Sequence, residues 1–233
     1  PTPPYQYDKL LANAGEMLSY GVELAVTGVA VQKKNVTWTS SLTLAWNENI
    51  ITKLSDPSKG FNYTSSPQGN LYGNKFNGSD SYTQILMEGG KVGQFYGYKF
   101  LGFNSKGEWV YEDQYGGPTA KPTAADKKYL GSAQPAVTYG WNNTVRYKNL
   151  DVTVFLRGVI GNKILNATRF MYTPDGTDKT TDYNFFVKDV ASGNGPTKNK
   201  GAIFADYNHF SDYWLEDGSY LKLDNITVGY TFR

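Results

Sequence analysis

Between Val36 and Ile50 the chain alternates: Val36, Trp38, Ser40, Leu42, Leu44 and Trp46 fall on one side, and Thr37, Thr39, Ser41, Thr43, Ala45 and Asn47 on the other. A period of two sustained over a dozen residues marks a half-buried β-strand. One face is apolar and ends in tryptophan at both extremes, while the other is small and polar. The preceding segment repeats the pattern, with Tyr20, Val22, Leu24, Val26 and Ala30 on one face and Glu23, Ala25 and Thr27 on the other. Lys33-Lys34-Asn35 links the two segments, which predicts a long hairpin. In a second hairpin Tyr139, Trp141, Val145 and Tyr147 alternate with Thr138, Asn142, Thr144 and Arg146. After a turn at Lys148-Asn149, Leu150, Val152, Val154, Leu156 and Ile160 alternate with Asp151, Thr153 and Arg157. Ser219 to Phe232 predicts a fifth long strand, whose alternation shifts near Asp224-Asn225 as a bulge would shift it.

Trp38 and Trp46 lie about 26 Å apart along an extended strand, or roughly 19 Å in depth at a ~45° tilt. Two indoles so spaced suit the edges of an apolar membrane band, but a strand of a soluble sandwich reads the same. Connection lengths separate the two readings. Both hairpins close in about three residues, whereas Thr52 to Val137 and Asn162 to Gly218 are long and rich in Gly, Asn, Ser, Asp, Lys and Pro. Structureless connections beyond ~15 residues are uncommon in compact domains. Outer-membrane barrels combine short periplasmic turns with long external loops. On that rule the turns at Lys34 and Lys148 are periplasmic and the long segments extracellular. Phe95–Phe103 and Glu108–Glu112, flanking Asn104-Ser105-Lys106-Gly107, predict a short hairpin outside the membrane band.

Composition is compatible with this picture. The 233 residues are 39% hydrophobic and 15% aromatic, with a mean hydropathy of −0.50; alternating barrel strands average to such values. No apolar run of ~18 residues is present to form a membrane-spanning helix. The absence of cysteine excludes a disulfide scaffold and a thiolate metal site. A net charge of +2 without a basic stripe argues against nucleic acid as a partner. Pro1-Thr2-Pro3-Pro4 has no features of an export signal, so a signal would lie outside this chain.

No catalytic constellation is evident, so the expectation is a protein that is not an enzyme and uses no cofactor. His209, the single histidine, sits in a Tyr/Phe-rich stretch without a nucleophile. Asp175-Gly176-Thr177-Asp178 lacks the ligand spacing of a calcium loop and reads as a turn. Asn62-Tyr63-Thr64 reflects Asn/Thr-rich composition.

Six short stretches resemble the SusC-like TonB-dependent transporters, in that family's order. They are Asn13-Ala14-Gly15-Glu16-Met17 with Gly21-Val22-Glu23-Leu24, Asn47 through Leu54, Phe95-Tyr96-Gly97-Tyr98-Lys99, Pro135 through Asn149, Arg157-Gly158-Val159 with Gly161-Asn162, and Glu216 through Leu223. The resemblance implies an all-β fold, a portion of a large antiparallel transmembrane barrel of 22 strands with long extracellular loops. It also implies that plug domain, signal and final strands lie beyond residues 1–233, since five strands, an odd number, do not close a barrel. The implied function is import of nutrient oligomers, foremost glycans, across the outer membrane of a Gram-negative bacterium. The implied partners are a SusD-like surface lipoprotein, the TonB-ExbB-ExbD complex acting through a plug, an oligosaccharide substrate and outer-membrane lipid. Peptide import within the family, or a soluble β-sandwich carbohydrate-binding module, is the alternative.

A transporter needs polar groups around a wet lumen and aromatic rings at its edges. Arg157, Asn162, Asn166 and Arg169 are the polar candidates for substrate contact, and Tyr213 and Trp214 are candidate stacking platforms. Trp38, Trp46, Tyr139, Trp141 and Tyr147 are the expected membrane-interface aromatics.

Overall fold

The computed structural model describes residues 15–60, 62–71, 82–104, 108–172 and 209–232. In chain order the strands are β1 (Glu16–Lys33), β2 (Val36–Lys53), β3 (Ser65–Asn70), β4 (Tyr82–Met87) and β5 (Gln94–Gly97). These are followed by β6 (Phe100–Phe103), β7 (Trp109–Glu112), β8 (Pro118–Thr119), β9 (Lys128–Ser132) and β10 (Val137–Tyr147). The last are β11 (Leu150–Ile160), β12 (Lys163–Leu165), β13 (Leu215–Asp217) and β14 (Tyr220–Tyr230), with one short helix, α1 (Ala167–Tyr172), after β12.

All five predicted long strands form, and they pair antiparallel in the order β1-β2-β10-β11-β14. The turns are the predicted ones, Lys34-Asn35 and Lys148-Asn149. They sit at the same end of the sheet, where Lys148 N–H donates to Asn35 O and Thr231 N–H to Asn149 O. The register matches apolar positions across strands: Trp46 opposes Val22, Leu44 opposes Leu24 and Tyr139, and Val152 opposes Val145 and Val228. This is a single-layer wall. Its apolar face stands open, with Val22 64% and Val228 63% exposed, as a soluble sandwich would never leave it. The sandwich alternative is thereby corrected. β10, β11 and β14 each have 11 residues, the length of a tilted transmembrane strand. β1 and β2, at 18 residues each, run on beyond the band.

Two bulges preserve the faces. At Ala30 the register of β1 shifts so that Val31 opposes Trp38, making Ala30 the extra residue. In β14, Phe155 pairs with Asn225 and Leu156 with Leu223, which leaves Asp224 as the extra residue at the predicted site. The apolar set therefore switches from Leu221 and Leu223 to Ile226, Val228 and Tyr230 without leaving the outer face. Without the bulge, the second half of β14 would turn its apolar side chains to the polar face.

The first long connection is not an open loop. It builds a four-stranded sheet, β3-β4-β5-β9, and a three-stranded one, β6-β7-β8. The predicted arm from Phe95 to Phe103 is two strands in two different sheets. It breaks at Tyr98, where Tyr98 N–H donates to Phe210 O and Asp212 N–H to Tyr98 O. The hairpin between Phe100 and Glu112 forms as β6 and β7. Residues 209–217, from the second long connection, enter this unit. Phe95, Tyr98, Trp109, Tyr111, Phe210 and Trp214 then make one buried aromatic core. His209 packs edge-on against Tyr98, with ring centroids 4.9 Å apart. Asp175–Asp178 and Asn13-Ala14 lie outside the described residues.

The subdomain is fastened to the wall where β2 outruns β10. Ile51 N–H donates to Gly90 O, Gly89 N–H to Ile51 O and Val92 N–H to Asn49 O, and Lys91 pairs with Glu48. Across its two sheets, Glu112 Oε2 lies 2.7 Å from Lys99 Nζ and its Oε1 2.9 Å from Lys128 Nζ. The hydrogen bonds from Lys99 and then Lys128 hold the Glu112 carboxyl down at about 2. A depressed carboxyl stabilises the fold above its ordinary pKa, and that contribution is lost as pH falls toward the folded value. The external subdomain is therefore expected to loosen between about pH 4.5 and 2. Asp212 acts oppositely, because burial raises its pKa. Glu112→Gln should flatten the acid-side loss, measured as protease susceptibility of the external segments against pH. An unchanged profile would contradict the clamp.

Candidate functional site

The polar face of the wall holds the candidate site. A hollow of about 630 Å³ runs along it, lined among others by Glu23, Thr43, Thr138, Gly140, Phe155 and Arg157. Alternation places these side chains there: each has the parity opposite to the Leu, Val and aromatic positions of its strand. Hydroxyls meet across strands, with Thr27 Oγ1 2.8 Å from Ser41 Oγ and Thr144 Oγ1 3.1 Å from Thr153 Oγ1. Thr43 Oγ1 donates to Gly140 O at 3.3 Å.

Arg157 projects from this face, and its Nε–H donates to Asp224 Oδ1 at 2.9 Å. Lys222 Nζ lies 3.3 Å from the same oxygen. The Asp224 bulge that keeps the outer face apolar thus also supplies the acid for Arg157. Sequence reasoning identified Arg157 and the parity shift at Asp224 but did not connect them, because the connection runs across the β11–β14 ladder.

The other predicted residues are spent on structure. Asn166 Oδ1 caps α1 by accepting from Arg169 N–H at 2.7 Å, and Asn166 Nδ2 donates to Glu216 Oε1. The Arg169 guanidinium lies 4.2 Å from the Tyr213 ring centroid. Tyr213 also meets Trp109 edge-on at 5.0 Å. Trp214 is 0% exposed. The stacking-platform expectation is therefore corrected for Trp214, which offers no face to a solute because both sides are core. Asn162 accepts from Gly218 N–H through its carbonyl, and its side chain fills the space that a Cβ at Gly218 would need.

The five expected interface aromatics all lie on the apolar face. Trp46 meets Tyr20 edge-on at 5.7 Å toward the external end. Tyr147, with Tyr230 and Phe232 two strands away, marks the turn end. Trp38 and Trp141 satisfy two polar groups on that face: Trp38 Nε1–H donates to Asn143 Oδ1 at 3.1 Å and Trp141 Nε1–H to Ser40 Oγ at 2.8 Å. Asn143 and Ser40 are direct cross-strand neighbours. Indole N–H groups thus remove part of the cost of polar atoms facing hydrocarbon. The sequence pattern gave no sign of this pairing, because it depends on register between residues 101 or more positions apart.

An antiparallel single-layer wall, apolar outside, hydroxylated inside and bearing an external subdomain, defines a section of a transmembrane β-barrel. The chain is similar along nearly its whole length to TonB-dependent receptors of the SusC kind. It is 26% identical over 250 residues to TonB-dependent receptor P3 of Formosa agariphila, covering 99% of this chain and 23% of the relative. It is 24% identical to TonB-dependent receptor SusC of Bacteroides thetaiotaomicron, covering 97% and 21%. A solved structure of the RagAB peptide transporter matches with a TM-score of 0.70 at 20% identity, covering 94% of this chain and 23% of that one. No family model matches. The chain thus spans less than a quarter of the length of these relatives.

Proposed function

We propose that the chain forms part of the wall and outer surface of a TonB-dependent importer of nutrient oligomers, foremost glycans, in the outer membrane of a Gram-negative bacterium. The observation that carries this reading is the wall itself, with a predominantly apolar exterior backed by a hollow that threonine hydroxyls and Arg157 line. Alignment along nearly the whole chain with receptors of the SusC kind supports it. β1 and β14 present open edges, which a bilayer does not tolerate; the rest of the barrel would pair with them. Trp46 and Tyr20 at the external end and Tyr147 and Tyr230 at the other would stand at the two membrane interfaces. The external subdomain, with Asn162, Asn166, Arg169 and Tyr213 at its base, would face a SusD-like lipoprotein, and energy would arrive from TonB-ExbB-ExbD through a plug.

The test is uptake by cells carrying the full-length receptor and its adjacent lipoprotein gene, supplied with fluorescent oligosaccharides or oligopeptides. Glycan uptake that stops when TonB is deleted is the expected result. Uptake of peptides alone would replace the glycan assignment, and a receptor that stays monodisperse without detergent would end the barrel reading.

A further inference from the structure

Arg157 and Lys222 are direct cross-strand partners on the lumen face. Like charges in that relation repel, and a wall selected for stability alone would place an acid opposite the arginine. Here both cations are kept, and a single carboxylate is inserted between them by the extra residue of a bulge. Bulges recur where a side chain must be re-aimed. The triad retains a net charge of +1.

Little else on this face cancels that charge. Glu23, the acid bordering the same hollow, stands three strands away, about 15 Å along the wall. That exceeds the screening length of about 8 Å in physiological salt. Asp151, six residues along β11 and so about 20 Å distant, is directly opposite Arg146. Only the Nε edge of Arg157 is engaged by Asp224. The Nη edge has no partner among the described residues, and the side chain is 48% exposed. A guanidinium edge presents two parallel N–H donors, which match the two oxygens of a carboxylate. Beside it, the hollow bordered by Phe155, Thr43 and Thr138 gives room for the body of a ligand.

We propose that Arg157, Lys222 and Asp224 form an anion subsite on the lumen wall that holds a carboxylate of the transported oligomer. Asp224 orients the guanidinium and lowers the local charge, so that the anion is held weakly enough to pass on. This rests on the import reading above and narrows its substrate class to acidic oligomers. A uronic acid residue of a glycan and a carboxylate of a peptide supply the same group, and the experiment separates them.

The full-length receptor with its lipoprotein would be titrated calorimetrically with four probes: an oligogalacturonate, its carboxyl-reduced neutral counterpart, an aspartate-containing peptide and its amidated counterpart. One carboxylate probe is expected to bind at least about tenfold tighter than its neutral counterpart, and which one it is identifies the source. Arg157→Gln should erase that preference, whereas Asp224→Asn, which raises the local charge to +2, should widen it several-fold. These opposite directions exclude a purely structural triad, in which both substitutions weaken binding alike. Equal binding of acidic and neutral probes, a preference untouched by Arg157→Gln, or parallel losses in both variants would overturn the subsite and leave the import reading standing. If the wild-type receptor binds none of the four, the import reading falls with it. Unchanged cold-electrophoresis mobility of each folded variant confirms that the barrel is intact.

Discussion

Gly158→Ala should destabilise the folded wall by about 3 kcal/mol, near the upper end of what overpacking costs. Gly158 faces the apolar side of β11, directly opposite Tyr139. The Tyr139 ring lies across it, and the hydroxyl donates to Tyr220 O at 3.2 Å on the next strand. A methyl at Gly158 would overlap that carbonyl oxygen and the phenol together. The carbonyl belongs to the ladder and has no freedom to yield, so the ring must leave. Its hydrogen bond, about 1 kcal/mol net, is then lost along with the burial beneath it. One aromatic thus ties three strands through a glycine, which compensates for the glycine's weak strand propensity. The measurement is the urea midpoint at which the full-length receptor shifts from its folded to its unfolded electrophoretic position. Gly28→Ala is the control. It is also a strand glycine, but a Cβ there meets nothing within 4 Å, and its midpoint should stay level or rise slightly. Equal midpoints for the two variants would show that Tyr139 is not seated on Gly158.

Trp214→Ala should cost the external subdomain about 3–5 kcal/mol, the usual penalty for deleting a large buried aromatic. Trp214 is fully buried, 6.1 Å from Trp109 and 4.8 Å from Tyr213 between ring centroids. Its removal opens a cavity where the two long connections meet. Because the wall has its own ladder, the loss should be local. The expected outcome is rapid cleavage of external segments by protease added to intact cells, with the electrophoretic mobility of the barrel unchanged. Trp46→Ala, on the apolar face, should leave that cleavage pattern at wild type. If Trp214→Ala left the external segments resistant, the aromatic core would not be what holds them.

The wall was legible in the sequence because a strand with one wet and one dry face writes its structure locally, residue by residue. Even the bulge at Asp224 showed, since it reverses the alternation within one strand. The external subdomain was not legible. Its strands are two to six residues long, too short for a periodic signal, and its core joins residues from 95 to 214. Trp214 consequently read as an exposed loop aromatic, when distant residues such as Trp109 and Tyr98 complete the core that buries it. Asn166 and Arg169 likewise read as polar groups available to a solute; the cap between them is local, but their further engagement follows from contacts with Glu216 and Tyr213.

The sequence by itself therefore determined the five strands, their faces, their two turns and the side of the wall on which Arg157 stands, all of which depend on neighbours in the chain. Tertiary structure alone decided that Arg157 confronts Lys222 and shares Asp224, that Tyr139 rests on Gly158, and that described residues of the two long connections share one aromatic core. Those outcomes depend on register between strands tens of residues apart, and no local pattern encodes which residue will stand opposite which.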